Sequence, residues 1–324
     1  MFLPIAYFFK ERVAISLVSI VLVFIITLGC EDDKAIYFEE GKKNINGAEL
    51  YYKIMGKGEP IVVLHGGPGL EHTYLLPQMG KLSQRYQLIF YDQRATGGSI
   101  AGTDSSSITL DNFVKDLEGI RMAFDLDKMN LLGHSWGGML AMFYGIKYPQ
   151  NVNSLMLIGS GGARSDFWDD LYYNINRKRT TVDSLALTNI RVSEKYKNND
   201  VATLAKFYKT FFKPYFYDQD LADSLSTTFT DRTLHNSRII WERPLAHEVD
   251  NYDIRDQLSI IKSPTLIIHG DSDVIPVKYA EEIHNRLENS DLVILEQCGH
   301  FPYIEVQDRF FRLISNFMDE ISKK

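Results

Sequence analysis

Cysteine is almost missing: Cys30 and Cys298 are the only two in 324 residues. They can close at most one bridge, which excludes a disulfide-built scaffold, and two thiols so far apart in the chain cannot build a zinc ribbon. Positive charge is also in short supply. Lys and Arg number 35 against 42 Asp and Glu, a formal net charge of −7. A protein that neutralises the phosphates of a nucleic acid carries the opposite balance, so that class of partner is excluded. There is no internal repeat and no low-complexity stretch. With 45% hydrophobic and 24% charged residues, the chain lacks the composition of a disordered protein.

One long apolar run is present. Residues 13–29 carry no charge, consist mostly of Val, Ile and Leu, and follow Lys10-Glu11-Arg12. The run is longer than the usual core of a secretory signal and just short of the ~20 residues that span a bilayer as a helix. Length alone leaves a cleaved signal and a retained anchor both open. Thr27-Leu28-Gly29-Cys30 places a small residue directly before a cysteine and resembles a bacterial lipoprotein signal, in which that cysteine is acylated and becomes the first residue of the mature chain. The resemblance implies an exported protein attached to a membrane of the cell envelope through Cys30; the retained helix implies attachment as well. Residues 1–29 are thus read as signal or anchor. Residues 30–44, with the acidic Glu31-Asp32-Asp33, are read as a solvated tether.

From about residue 48 the pattern changes. Short, continuous apolar runs recur at Ile61–Leu64, Gln87–Tyr91, Asn130–Leu132, Leu155–Ile158, Thr265–Ile268 and Leu292–Leu295. Runs of this kind suit parallel strands covered on both faces. Amphipathic segments lie between them; in one, Leu110, Phe113, Val114, Leu117 and Ile120 share a helical face. Alternation of strand and helix predicts an α/β fold with a largely parallel sheet. One connection is far longer than the ~2–6 residues an α/β loop usually takes. It runs from near Gly159 to near Pro264 and is rich in aromatic residues, among them Phe167, Trp168, Tyr172, Tyr173, Phe207, Tyr208, Phe211, Phe212, Tyr215, Phe216, Tyr217 and Trp241. The expected organisation is a core of residues 45–160 and 258–324, with residues 161–257 inserted as a helical cap.

Gly133-His134-Ser135-Trp136-Gly137-Gly138 follows a strand and opens an apolar helix. This is G-x-S-x-G in the context its chemistry needs: a sharp, strained turn that lifts Ser135 as a nucleophile, next to a helix N-terminus that favours a developing oxyanion. A serine hydroxyl needs a base, and the base an orienting acid. After the last two expected strands the chain supplies both, in Gly270-Asp271-Ser272-Asp273 and Gly299-His300. His300 is the expected base. Asp273 is preferred over Asp271, because three positions beyond the strand-ending glycine give it room to turn toward His300. His65-Gly66-Gly67-Pro68-Gly69 ends another strand, and an N–H of this loop, assigned to Gly67, would join that of Trp136 in an oxyanion hole. No Lys-Ser/Thr follows these glycines, which argues against a phosphate cradle. His134 is expected to pack in the core, His65 and His269 to position loops, and His72, His235, His247 and His284 to lie on the surface or in the cap.

The combination of His65-Gly66-Gly67-Pro68-Gly69, Tyr91-Asp92-Gln93-Arg94 and Gly133-His134-Ser135-Trp136-Gly137-Gly138, with the late Gly270-x-x-Asp273 and Gly299-His300, resembles the α/β-hydrolase superfamily and, within it, the proline iminopeptidase-like serine peptidases. The resemblance covers about residues 45–320. It implies an acyl-enzyme mechanism with Ser135, His300 and Asp273, no metal or organic cofactor, and a short peptide or amide with a free N-terminus as substrate. Two positions depart from the pattern. Ala95 stands where the family has the first glycine after Asp-Gln-Arg, and Val274 follows Asp273 where some members carry an amine-binding glutamate. Glu242, in Trp241-Glu242-Arg243-Pro244, falls about where a cap glutamate would bind the substrate ammonium. An esterase or carbon–carbon bond hydrolase using the same triad is the alternative, and a non-catalytic ligand-binding version of the fold a more distant one.

Overall fold

The computed structural model describes residues 37–76, 78–100, 104–226 and 244–323. The signal or anchor, Cys30 and Glu242 lie outside the described residues.

Eight strands form one sheet: β1 (Phe38–Ile45), β2 (Ala48–Met55), β3 (Pro60–Leu64), β4 (Gln87–Tyr91), β5 (Met129–His134), β6 (Val152–Ile158), β7 (Thr265–Gly270) and β8 (Ser290–Leu295). Their order is β1-β2-β4-β3-β5-β6-β7-β8. From β4 to β8 all neighbours are parallel, while β1 and β2 pair antiparallel with each other and β2 antiparallel with β4. The six apolar runs seen in the sequence all fall within strands. β5 and β7 are buried along their whole length, as continuous apolar runs require.

The start of the sheet departs from expectation. Residues 38–44, assigned to the tether, form most of β1. The physical reason is local: Asn46 and Gly47 both have positive φ, 47° and 75°, the two-residue turn that joins right-twisted antiparallel strands, so Ile45 pairs with Ala48 and the chain before it is drawn onto the sheet edge.

Among the described residues the α-helices are α1 (Leu110–Ala123), α2 (Trp136–Lys147), α3 (Phe167–Lys178), α4 (Thr181–Val192), α5 (Glu194–Lys197), α6 (Val201–Phe212), α7 (Pro244–Val249), α8 (Val277–Arg286), α9 (Pro302–Glu305) and α10 (Gln307–Ile321). Thr109 begins α1 by accepting the Asn112 N–H at 3.3 Å, and Phe113, Val114, Leu117 and Ile120 are buried on its inner face. α2 packs on β3, β5 and β6, and α8 on β7 and β8. Helices α3–α7 all lie in the long connection between β6 and β7.

Beyond β4, Arg94 fastens the sheet to α1. Its Nε donates to Asp116 at 2.7 Å and its Nη1 to the Ser107 hydroxyl at 2.9 Å, with both Arg94 and Asp116 fully buried. Asn46 donates to the same carboxylate at 3.0 Å, so the pair also ties down the first hairpin. Burial pushes the Asp116 carboxyl above its usual range, and Arg94 and Asn46 offset part of that. Next to Arg94, Ala95 keeps the left-handed backbone, φ 62°, that a glycine would adopt there without strain. Replacing Arg94 with Met keeps the volume and strands Asp116 without its main partner. R94M should lose about 3 kcal/mol of unfolding free energy, read as a lower urea midpoint at unchanged m-value. A variant within about 1 kcal/mol of the parent would show that the pair contributes little.

Candidate active site

Ser135 sits between β5 and α2 with φ 57° and ψ −119°, a conformation that side chains avoid. Close packing holds it there. A Cβ on Gly133 would stand 2.3 Å from the Gly137 carbonyl oxygen, and one on Gly137 would stand 2.2 Å from that of Leu64. No side chain fits at either position, so β5, the turn and α2 approach backbone to backbone. The Ser135 N–H donates to Ile158 O at 2.9 Å, which leaves its side chain half-buried on the wall of a cavity.

His300 lines the same cavity. Its Nδ1–H donates to Asp273 Oδ2 at 2.9 Å, and both side chains are buried. Asp273 also accepts the Ile275 N–H at 3.0 Å. Burial raises the Asp273 carboxyl, but the charge and hydrogen bond of His300, the charge of His269 and the Ile275 N–H outweigh it and hold the group below its usual range. Asp271 is exposed and turned elsewhere, accepting the N–H groups of Gln297 and Cys298 at 3.1 and 3.3 Å. The two candidate acids are therefore separated by geometry, and it is Asp273 that meets His300.

The His65–Gly69 loop closes over the serine. A Cβ on Gly66 would come within 3.0 Å of Ser135 Cβ, so only glycine allows that approach. The Gly66 N–H is already used, donating to the Tyr74 hydroxyl at 2.7 Å. That leaves the Gly67 N–H as the loop's candidate for an oxyanion. Trp136 is the first residue of α2, where an N–H has no acceptor within the helix. Gly67 and Trp136 both line the cavity.

A continuous chain of hydrogen bonds joins these loops. Tyr74 O–H donates to His134 Nδ1 at 2.7 Å, and His134 Nε2–H donates to the His300 carbonyl at 2.8 Å. Burial, reinforced by His300, pushes His134 down to about 3, so it stays neutral and the direction of the chain is set. Gln93 makes a second link. Its side chain donates to His65 O at 2.8 Å and accepts the Trp136 Nε1–H at 2.7 Å, while its N–H donates to His65 Nε2 at 3.0 Å. Burial pushes His65 down to about 4, leaving it a neutral positioning group. His269 donates to Ile275 O at 2.7 Å and steadies the Asp273 loop.

His72 was expected at the surface or in the cap; it is buried, and its ring nitrogen lies 2.7 Å from Asp92. Asp92, with the first β4 loop around it, supplies a polar partner that no motif near His72 announces. His284 is half-buried against the Ser290 hydroxyl, His247 is exposed, and His235 lies outside the described residues. Cys298 is free and buried, and burial pushes its thiol up, so it is poorly reactive. Val274 is buried in the core, as its apolar side chain dictates.

Glu305 is a further site residue that sequence reasoning passed over. Its Oε1 accepts the Gly299 N–H at 2.9 Å and the Phe301 N–H at 3.4 Å, and its Oε2 accepts that of Tyr217 at 2.8 Å. It therefore clamps the His300 loop from both sides and ties it to the chain below α6. Pro302 in the first turn of α9 marks a helix start, and an acid in that turn was the available signal. Tyr74 had none.

The cavity measures about 470 Å³ and is walled on the far side by rings from α3 and α6, including Phe167, Trp168, Phe207 and Phe211. Among the described residues lining it there is no carboxylate; Arg191 is the one permanently charged group.

A strained serine turn, a buried histidine–carboxylate pair and a covering glycine loop on a mostly parallel sheet define a hydrolase of the α/β type. Residues 59–306 match the model of the alpha/beta hydrolase fold family, and the chain belongs to that family. It is 32% identical over 311 residues to a proline iminopeptidase of Saccharolobus solfataricus, covering 89% of this chain and 94% of that protein. A proline iminopeptidase of Thermoplasma volcanium is 28% identical over 87% of this chain and 97% of its own length. Among solved structures, a meta-cleavage product hydrolase from Pseudomonas fluorescens IP01 superposes with a TM-score of 0.67 at 22% identity, covering 86% of this chain and 97% of that one. The proline iminopeptidase of Mycobacterium smegmatis does so with 0.66 at 17%, covering 87% and 98%. At those identities the two structures speak for the fold.

Burial raises Glu305 from 4.5 to about 7, against the three N–H groups that favour its ionised form. Between those values the folded chain binds a proton the unfolded chain has lost. This contribution to stability is full below the lower value and is lost as pH rises through about 7. With its partial exposure discounted, the loss is about 2 kcal/mol. Denaturant unfolding across pH 5–8 should show the parent losing about 2 kcal/mol relative to Glu305→Gln as pH rises; a constant difference between the two would rule the effect out.

Proposed function

We propose that the protein is an aminopeptidase of the proline iminopeptidase type, releasing N-terminal residues from short peptides or amides through an acyl-enzyme. Ser135 attacks the carbonyl carbon while His300 takes its proton, and His300 returns that proton to the leaving amine. Asp273 holds the imidazole tautomer by accepting Nδ1–H, which leaves Nε2 free to act as base. The N–H groups of Gly67 and Trp136 stabilise the oxyanion, and water then repeats the cycle on the acyl-enzyme. The observation that carries this reading is the opening of Ser135 and His300 onto one cavity, with Asp273 bonded to the opposite nitrogen of the ring. The relatives named above support the peptide substrate. Glu242 is the group proposed to meet the substrate ammonium, by a charge-assisted hydrogen bond.

The second reading, an esterase or carbon–carbon bond hydrolase, is favoured by the aromatic cavity wall, which offers no acid for an ammonium among the described residues. Turnover of proline naphthylamide against short acyl nitrophenyl esters separates the two. The peptidase reading expects naphthylamide hydrolysis, lost by more than ~10⁴-fold in Ser135→Ala and about 10⁴-fold in Asp273→Asn, with Asp271→Asn far milder. Ester turnover without aminopeptidase activity would overturn it. Failure of a fluorophosphonate to label Ser135 in the folded protein would favour a non-catalytic binding role.

We also propose that the mature protein is exported and membrane-attached, with residues 1–29 removed and Cys30 acylated. The support is the charge-free run before Gly29-Cys30 and the acidic residues after it. Intact-mass analysis should give a chain beginning at Cys30 with added lipid; a mass that includes Met1 would rule the lipoprotein form out.

A further inference from the structure

The two residues that flank Asp273 have their carbonyls held from the cap. Asn174 Nδ2–H donates to Val274 O at 3.0 Å, and the Lys178 ammonium donates to Ser272 O. A carbonyl only accepts, so the Asn174 amide can meet it through nitrogen alone. Residues 271–276 form neither strand nor helix between β7 and α8, and among the described residues no backbone N–H donates to either carbonyl. Both bonds therefore come from side chains of α3, which lie 100 and 94 residues away along the chain.

Their placement follows from the helix. Asp170, Asn174 and Lys178 stand four residues apart and share one stripe of α3. Asp170 accepts the Tyr279 hydroxyl at 2.8 Å and pairs with Lys278 at 2.6 Å, which carries the stripe onto the start of α8, just past the acid. Phe167, Trp168, Leu171 and Tyr172 take the adjacent face and line the cavity, whereas Asn174 and Lys178 do not. Burial lowers the Lys178 ammonium from its ordinary value, and the charges of Asp273, Glu305 and Asp271 oppose that shift. The loop so held has little freedom to spare. Asp273 must keep an oxygen 2.9 Å from His300 Nδ1, and a misplacement of about 1 Å in a catalytic group can cost ~10²-fold in rate.

We propose that Asn174 and Lys178 are positioning residues for the catalytic acid: from α3 they hold the backbone on both sides of Asp273, so that its carboxylate stays on His300 Nδ1. Neither touches the substrate; both act through Asp273. The stripe that holds the acid and the face that lines the cavity are separate sides of one helix. This rests on the Ser135–His300–Asp273 relay and is the same for an amide or an ester substrate.

The test reads Ser135 in the full chain by its rate of labelling with a fluorophosphonate, which needs no choice between amide and ester. Beside it, kcat and KM are measured on whichever of proline naphthylamide and the acyl nitrophenyl esters the parent turns over; the labelling rate decides alone where it cleaves neither. Asn174→Ala and Lys178→Met should each lower the labelling rate and kcat by about tenfold and together by about 100-fold, with KM within about twofold of the parent. Lys178→Arg keeps a donor for Ser272 O and should recover most of the loss. Each substitution is repeated on top of Asp273→Asn, where it should have no further effect, because the group it positions is gone. A general loss of folded protein would instead lower the rate by the same factor in both backgrounds. Rates within about twofold of the parent, or equal losses with and without Asp273→Asn, overturn the proposal. A parent that the fluorophosphonate does not label overturns the catalytic reading, and the positioning role with it.

Discussion

The whole site depends on one constraint: the backbone of Ser135 must stay in a conformation that an ordinary residue leaves at once. What prevents relaxation is the lack of space. Gly137 rides against the Leu64 carbonyl and Gly133 against Gly137, so α2, β5 and β3 lock at backbone distance and the turn between them has nowhere else to go. The cost of the strained residue, of order 1–3 kcal/mol, is spread over a sheet whose central strands are buried end to end. The same contact brings the His65–Gly69 loop onto the serine and leaves the first N–H of α2 open. The candidate nucleophile and the candidate oxyanion donors are thus consequences of one close approach.

Around that turn the loops are held by neutral polar groups. Burial keeps His134 and His65 uncharged, and this is what lets each act as donor at one nitrogen and acceptor at the other. Gly66, Tyr74, His134 and the His300 carbonyl form one line; His65, Gln93 and Trp136 form another. Had His65 been protonated, its acceptor nitrogen would become a donor facing the Gln93 N–H, and that line would break. The carboxylate set against the His300 ring is Asp273, where an imidazolium forming on His300 would be stabilised.

Much of this was legible in the sequence. The six apolar runs mark six strands, because continuous burial demands continuous apolar residues. The glycines of 133–138 and 65–69 mark the elbow and its covering loop, because no other residue fits. The acid could be told from its neighbour by distance along the chain alone. Other elements were hidden for reasons of kind. β1 reads as polar because a sheet edge alternates and exposes half its side chains, so its only signal was Asn46-Gly47. Tyr74 and Gln93 act through partners far away in sequence, as Glu305 does through Tyr217, and periodicity carries no information about long-range hydrogen bonds. His72 looks like a surface residue until Asp92 arrives from β4 to satisfy it.

The way the cap helices meet the catalytic loop explains how chemistry and selectivity can be separated in one chain. His300 N–H donates to the backbone carbonyl of Tyr215 at 2.7 Å, and Glu305 accepts the backbone N–H of Tyr217 at 2.8 Å. Gly299 packs so tightly under this segment that a Cβ would lie 2.2 Å from the Tyr215 carbonyl oxygen. These contacts use main-chain atoms on the cap side, so they survive almost any change of cap side chain. The cavity-facing side chains of α3, α4 and α6 are then free to shape the cavity wall, here with aromatic rings and Arg191, without disturbing His300 or Asp273. A cavity wall can in this way be remodelled from the cap without moving the His300 loop or Ser135.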